Sequence, residues 1–413
     1  MAGYIISLLL RASLAVTALG PGEAARLPVS GPWGYSAVFI RNDTVTVITH
    51  GNIVYLFKLV GDSVVENTRL GIGGLSEFDR LEFVSTPNSI ACLYEGINHL
   101  NLYELADNGN EGNLNTKIPI NNTYDYYLIP CDSSLLAVFE DYDKPFTLNS
   151  HSGTMEYGPL AYIKLGSGVP SRPKHIESGR VSSSWFQYAV VHDTVYALWK
   201  QTKHESFMSW VMNVKSNLVS AKYGGTSWSE PQSILDVTKQ EIQIHGLYEL
   251  NDQLYCFFST EATEGNHDNI YYMKSIDHEH WTSPVELSSC QGSLNRWLAC
   301  SDGRGTLHLV ILDSKKQDYV YYTFDGNSLE YRYDLELGDF RKVDVSLISI
   351  ASDKGQAYLF YSKSGRIEED PDNPYEIRGT YVSPEGDTYR TELANPNYKK
   401  QEPRIADLFM LEL

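Results

Sequence analysis

The sequence predicts an all-β chain folded as a seven-bladed β-propeller of four-stranded antiparallel blades, and three observations predict it. A turn residue followed by alternating apolar positions recurs seven times: Asp43-Thr44-Val45, Asn88-Ser89-Ile90, Ser133-Ser134-Leu135, Asp193-Thr194-Val195, Asp252-Gln253-Leu254, Gly305-Thr306-Leu307 and Gly355-Gln356-Ala357. Such self-similarity, at roughly 45 to 60 residues, marks a repeat architecture. Each anchor lies within a longer unit in which four strand-like runs are separated by turn chemistry, as a four-stranded blade requires. Aromatic residues, tyrosine above all, alternate along these runs (Tyr94, Tyr103, Tyr196, Tyr255, Tyr321), which suits half-buried pleated surfaces, and no helical stretch competes.

The fifth unit shows the order clearly, with runs at Ile244 to Leu250, Leu254 to Phe258, Ile270 to Lys274 and Trp281 to Leu287. The sixth repeats it at Asn295 to Cys300, Leu307 to Leu312, Tyr319 to Phe324 and Leu329 to Leu335. The first two runs of a unit are joined by short turns, as hairpins demand. The connection between the second and third runs varies, from Thr49-His50-Gly51-Asn52 in the first unit to a long stretch around Lys144 to Tyr157 in the third. Variation confined to one connection places the elaborations on one face. The third unit is irregular and its last strand, near Arg172 to Ile176, is weak, so six blades are the alternative. Ring closure needs a terminus to complete a blade, and the apolar segment Ile405 to Leu413 is the natural candidate.

Residues 27–413 read as a single propeller domain. Residues 1–26 read as a signal peptide or disordered leader: Tyr4 to Leu10 and Ala12 to Leu19 are apolar, with small residues at Val16-Thr17-Ala18, although a basic n-region is missing and Arg11 interrupts the run. The sequons Asn42-Asp43-Thr44 and Asn121-Asn122-Thr123 are compatible with secretion, and the localisation expected is extracellular. A formal charge of −19 argues against a nucleic-acid partner, because that partnership rests on neutralising phosphates with Lys and Arg. No internal apolar run reaches the roughly 20 residues that span a bilayer. The five cysteines, Cys92, Cys131, Cys256, Cys290 and Cys300, show no metal-ligand spacing. Cys92 and Cys256 read as buried thiols, and Cys290 with Cys300 as a pair that an oxidising compartment could join. Two acidic stretches, Asp107 to Asn113 and Glu368 to Asp372, read as solvated turns rather than calcium loops, so no metal or cofactor is expected.

The turn between the third and fourth runs of the fifth unit reads Ser275-Ile276-Asp277-His278-Glu279-His280-Trp281-Thr282. The fourth unit has Gly224-Gly225-Thr226-Ser227-Trp228-Ser229 at the same place. These resemble the Asp-box, or bacterial neuraminidase repeat, of sialidase-like propellers, whose usual form is Ser-x-Asp-x-Gly-x-Thr-Trp on that hairpin. The Asp carboxylate accepts hydrogen bonds from its own turn while the Trp packs between sheets. Ser275, Asp277, Trp281, Gly225 and Trp228 are the structural residues that this resemblance implies. Glu279 stands where Gly belongs, Trp281 comes one residue early, and the fourth unit lacks the Asp. In that family the motif lies away from the active site, so it implies the propeller and not the activity.

Sialidases clamp a carboxylate with an arginine triad, since the planar guanidinium binds a carboxylate in two places. In a propeller the loop leading into each first strand opens near the axis, and four such loops carry Arg80, Arg180, Arg296 and Arg341. Asp79, Asp125, Glu241 and Tyr124 accompany them as candidate ligand-binding groups. The competing reading pairs each arginine with a neighbouring acid. The Phe-Arg-Ile-Pro sequence of the enzymes is absent, and they have six blades. The function expected is a secreted or surface-displayed, non-catalytic module that recognises glycan or protein. The alternative is a glycoside hydrolase of exo-sialidase type acting on acidic-sugar glycans, for which no catalytic residue is assigned.

Overall fold

A computed structural model describes residues 24–31, 34–41, 44–50, 54–60, 63–70, 72, 80–86, 89–96, 99–106, 116–119, 125–131, 134–141, 146–150, 153–165, 172–178, 180–207, 210–260, 269–287, 297–313, 318–335, 337, 343–365, 380–382, 388–390 and 406–413. The chain is a seven-bladed β-propeller of four-stranded antiparallel blades, and among the described residues no helix occurs.

Strand β1 (Ala24–Gly31) precedes the first blade, formed by β2 (Gly34–Arg41), β3 (Thr44–His50), β4 (Tyr55–Val60) and β5 (Ser63–Arg69). The second comprises β6 (Leu81–Ser85), β7 (Ser89–Gly96), β8 (His99–Ala106) and β9 (Thr116–Pro119). In the third, β10 (Tyr126–Cys131) and β11 (Ser134–Glu140) are followed by a separate hairpin, β12 (Phe146–Ser150) and β13 (Gly153–Tyr157), before β14 (Leu160–Leu165) and β15 (Lys174–His175). The fourth has β16 (Val181–Val191), β17 (Thr194–Phe207), β18 (Trp210–Tyr223) and β19 (Gln232–Asp236). The fifth has β20 (Ile242–Leu250), β21 (Gln253–Thr260), β22 (Asn269–Ser275) and β23 (Val285–Glu286). The sixth has β24 (Trp297–Ser301), β25 (Leu307–Asp313), β26 (Asp318–Phe324) and β27 (Leu329–Leu335). The seventh begins with β28 (Val343–Asp353) and β29 (Gln356–Gly365); a small hairpin, β30 (Thr380–Val382) and β31 (Thr388–Arg390), follows, and β32 (Ala406–Glu412) then joins the sheet in the order β1-β32-β29-β28. The late apolar segment thus completes a blade, paired with β29 on one side and β1 on the other.

Every anchor read from the sequence opens the second strand of a blade, and the reason is local. His192-Asp193, Asn251-Asp252 and Lys354-Gly355 all have positive φ at both positions, the two-residue type I′ turn whose twist matches that of the flanking strands. The third unit's weak last strand is present as the two residues of β15, paired with Ala161 and Tyr162 of β14. Its long connection is the inserted β12–β13 hairpin.

Second strands are buried along nearly their whole length, as in β7, β11 and β21, while outermost strands such as β5 and β19 are largely exposed. Apolar side chains of one sheet therefore pack on those of the next. Leu93, Leu102, Leu128 and Phe139 join the second and third blades; Val138, Phe186, Trp199 and Tyr223 join the third and fourth; Leu198, Leu247, Cys256 and Met273 join the fourth and fifth. Two compact units can be distinguished, one of residues 79–297 and 324–330, the other of the described residues in 1–78, 298–323 and 331–413. In the latter, Val38, Val47, Phe57, Phe360 and Met410 pack the first blade on the seventh. Cys92, Cys131, Cys256 and Cys300 are present as thiols; Cys290 and both acidic stretches lie outside the described residues.

One polar junction interrupts the apolar packing between the third and fourth blades. Glu177 is 4% exposed, and both of its carboxylate oxygens are filled. Oε1 accepts from Trp199 Nε1 (2.7 Å) and Gln201 Nε2 (2.8 Å), and Oε2 from Ser183 Oγ (2.6 Å) and the Leu160 amide (3.1 Å). Four donors aimed at two oxygens suit an ionised carboxylate, which only accepts. A Glu177→Gln substitution presents an NH2 group to donors that already point inward, and is expected to destabilise by about 3 kcal/mol. A lower urea midpoint with unchanged slope measures it; an unchanged midpoint shows that the junction contributes nothing.

Candidate functional site at the first-strand entrances

Four of the sequence-predicted residues occupy one register position. Arg80, Asp125, Arg180 and Glu241 each immediately precede the first strand of a blade, namely β6, β10, β16 and β20. These first strands lie beside one another in that order, and all four residues belong to the 79–297 unit. Asp79, Tyr124, Arg296 and Arg341 lie outside the described residues.

Arg80 and Asp125 are brought together, Arg80 Nη1 donating to Asp125 Oδ1 at 2.7 Å. Nη2 lies 3.5 Å from Glu82 Oε2. The guanidinium sits 5.0 Å from the Tyr127 ring centroid and 5.3 Å from that of Tyr126, close enough for cation–π attraction. Tyr126 donates its hydroxyl proton to the Arg80 carbonyl. Burial opposes the Arg80 charge, but Glu82, Tyr127 and Asp125 outweigh it and raise its pKa. Burial pushes the Tyr127 phenol well up, so it remains protonated. Glu241 belongs to a different pair, with Lys200 Nζ donating to both carboxylate oxygens at 3.1 and 3.0 Å. The Arg180 carbonyl accepts from the His204 amide at 3.1 Å, and His204 Nε2 lies 2.8 Å from Ser182 Oγ.

The row of rings continues from Tyr127 to Phe186, 4.9 Å away on β16, and from there to Trp199. Here β16 is irregular: its register against β17 shifts between Ser184 and Gln187. Trp185 occupies that bulge at φ 60° and remains 43% exposed. A left-handed backbone is a genuine outlier for a bulky residue, costing on the order of 1–3 kcal/mol, and bulges beside functional sites re-aim side chains. The corresponding strand of the fifth blade also bulges, between Ile244 and Gly246, at His245. The His245 ring stacks 5.4 Å from Trp297 and its Nε2 lies 3.0 Å from Ser259 Oγ. Burial pushes its pKa down to about 4, so it is neutral at physiological pH.

At the same end of the third blade, Asp141 is buried and its Oδ2 meets His175 Nε2 at 2.8 Å. The Asp141 backbone is pinned by its amide bond to the Pro159 carbonyl and by Gly158, where a Cβ would come within 2.3 Å of the Asp141 oxygen. Only glycine permits that approach. The β12–β13 hairpin grows from this end too, and β12 lies beside β18, whose own hairpin with β17 extends past Lys203.

At the opposite strand ends, Asp277 organises the outer turn of the fifth blade. Its Oδ1 accepts from the amides of His280 (2.7 Å) and Glu279 (3.0 Å) and from Ser275 Oγ (3.3 Å). The His280 amide, then its ring, then the Glu279 amide hold this carboxyl well below the usual range. Asp325 accepts from Asn327 and Ser328 amides in the same way. In the fourth blade Gly225 takes φ 86° and Trp228 bridges back to Tyr223, as Trp281 does to Ser275.

The chain is similar to polysaccharide lyases of propeller fold. A PL25 ulvan lyase matches with a TM-score of 0.57 at 10% identity, covering 83% of this chain and 93% of that one. The polysaccharide lyase Uly1 matches at 0.55 and 10% identity, covering 92% and 90%. A Hadza microbial sialidase aligns at 0.37 and 12% identity over 70% and 63%. At these identities the likeness shows the fold alone. No family model and no curated protein matches the sequence.

Trp185, Glu177, His245 and the Asp141–His175 pair were not among the residues singled out from the sequence. Trp185 carried a usable signal: Trp185-Phe186 places two large aromatics side by side, and with a two-residue period both cannot face the core. Phe186 is buried and Trp185 is turned out.

His245 sets a pH dependence whose sign follows from its lowered pKa. The folded state keeps the imidazole neutral down to about pH 4, while the unfolded chain protonates it near its ordinary value, 6.5. Acidification from pH 6.5 toward 4 therefore favours unfolding, by about 3 kcal/mol at the lower limit. Melting temperature measured against pH should fall across that window, and the His245→Asn variant should lose this component of the slope.

Proposed function

We propose that the protein is a glycan-recognition propeller whose ligand lies across the first-strand entrances of the second to fifth blades, with Trp185 as its stacking platform. The observation that carries this reading is an exposed tryptophan held in a strained backbone on an innermost strand, next to the row Phe186, Tyr127 and Arg80. Sugar rings present an apolar C–H face that aromatic side chains cover, while their hydroxyls need donors and acceptors at the rim. Arg80, Asp125, Glu241 and Lys200 supply that rim. The fold shared with two polysaccharide lyases supports the ligand class.

Recognition without turnover is supported by the pairing of the charges. Arg80 is engaged by Asp125 and Glu82, and Glu241 by Lys200, which leaves these groups occupied with one another rather than aimed at a substrate carboxylate. The carboxylate turns at Asp277 and Asp325 read, on this proposal, as degenerate bacterial neuraminidase repeats, and the protein as secreted or surface-displayed. Exo-sialidase-like hydrolysis of acidic-sugar glycans is the second reading, favoured by the matching register of Arg80 and Arg180.

Affinity electrophoresis against a panel of soluble polysaccharides, ulvan included, separates them. Trp185→Ala should weaken retention by about tenfold, roughly 1.4 kcal/mol. Trp185→Gly should weaken it equally while raising stability by about 0.5–1 kcal/mol, because glycine accepts the left-handed backbone. Equal retention by wild type and both variants would sink the proposal. Release of reducing ends or cleavage of a fluorogenic sialoside, abolished in Arg80→Ala, would instead establish the hydrolase.

A further inference from the structure

At the strand ends away from the entrances, a crevice of about 90 Å3 opens between the outer turns of the fourth and fifth blades. Its origin lies in one register position of the third strands. In the third blade Tyr162 stands opposite Val138 and Lys174; in the fifth, Tyr272 stands opposite Phe257 and Val285. In the fourth, the residue at that place, opposite Leu198 and Gln232, is Ser220.

Each tyrosine fills the space next to the following turn. The Tyr162 ring packs edge-on against Tyr223 and Trp228, and Tyr272 packs against Phe324 and donates its hydroxyl to the Asn327 carbonyl at 3.4 Å. Ser220 leaves that volume empty, and the Trp281 side chain lines it.

The walls of the crevice are amphipathic. Leu247, Leu254 and Ala221 form an apolar floor beside Trp281. The rim carries the Lys222–Glu279 ion pair, and His278, at φ 63°, is held by the Asp252 carbonyl (2.9 Å) against the Tyr196 ring (4.8 Å). An apolar floor with an indole face and a rim of exposed paired charges fit a small ring with one C–H face and polar edges.

We propose that this crevice is a second ligand site, separate from the first-strand entrances, that takes a single pyranose unit. The ligand class rests on the glycan reading above; the crevice itself does not. Filling it as the flanking blades do should close it, so Ser220→Tyr is the decisive variant, and Lys222→Met, on the exposed rim, is a second that leaves the packing untouched.

Saturation-transfer NMR with the methyl glycosides of glucose, galactose and N-acetylglucosamine, and with glucuronic acid, tests it. Wild type and Trp185→Ala should both receive transfer from at least one probe, and Ser220→Tyr and Lys222→Met should lose it by about fivefold or more. Undiminished transfer to Ser220→Tyr overturns the proposal, as does the absence of transfer to wild type. If polysaccharide retention is insensitive to Trp185→Ala while Ser220→Tyr still abolishes transfer, the entrance reading fails and the crevice stands.

Discussion

The Glu177 carboxylate is the constraint on which the fourth blade's geometry depends. It is withdrawn from water, so its charge has to be satisfied by protein donors, and it takes them from three strands at once: Leu160 on β14, Ser183 on β16, Trp199 and Gln201 on β17. Hydrogen bonds to a charged group are worth more than neutral ones, about 1.5–3 kcal/mol each, and removing an acceptor strands its donors. Ser183 and Gln201 are also register partners, so the carboxylate grips the β16–β17 pair just before the register shifts. The bulge that follows turns Trp185 outward at a cost of the same order as one such bond. Strain at the exposed Trp185 is thereby offset by a buried polar junction a few residues away.

Repetition makes such local departures visible. Because third strands share a register, Tyr162, Ser220 and Tyr272 are comparable, and a serine among tyrosines creates a cavity without disturbing the ladder. Lys164 and Lys222 show the same logic with retained chemistry: both reach across to the next blade's turn, one to the Gly225 carbonyl and the other to Glu279. A repeat architecture thus separates the conserved task of closing one sheet on the next from the variable task of presenting groups at either end of the strands.

That separation also explains what could be read in the sequence. The seven anchors were legible because a type I′ turn and a two-residue period are properties of a few consecutive residues, as at Asn251-Asp252 before β21. The candidate positions Arg80, Asp125, Arg180 and Glu241 were legible as entrances to first strands for the same reason. Partnership was not. Arg80 meets an acid 45 residues on, Glu241 a lysine 41 residues back, and Glu177 gathers donors from positions 160 to 201, so nothing local announces who pairs with whom. Trp185 lies between these cases, since its adjacency to Phe186 signals a broken period while only the fold shows which ring turns out.

The entrance is better described by planarity than by charge. The chain carries a formal −19, and an acidic molecule that bound anionic ligands by attraction would need an uncompensated basic patch. Arg80 does not provide one, because Asp125 and Glu82 match its charge; what it offers a ligand is a flat, weakly hydrated group lying over Tyr127 and Tyr126. Trp185 extends the same kind of surface at the next blade but one. On the proposed glycan reading, selectivity would follow from which faces of a ring can lie against fixed planes and which hydroxyls meet the paired polar groups at the rim. Such discrimination depends on the angle at which each plane is held, and that angle is set by the buried bonds beneath it.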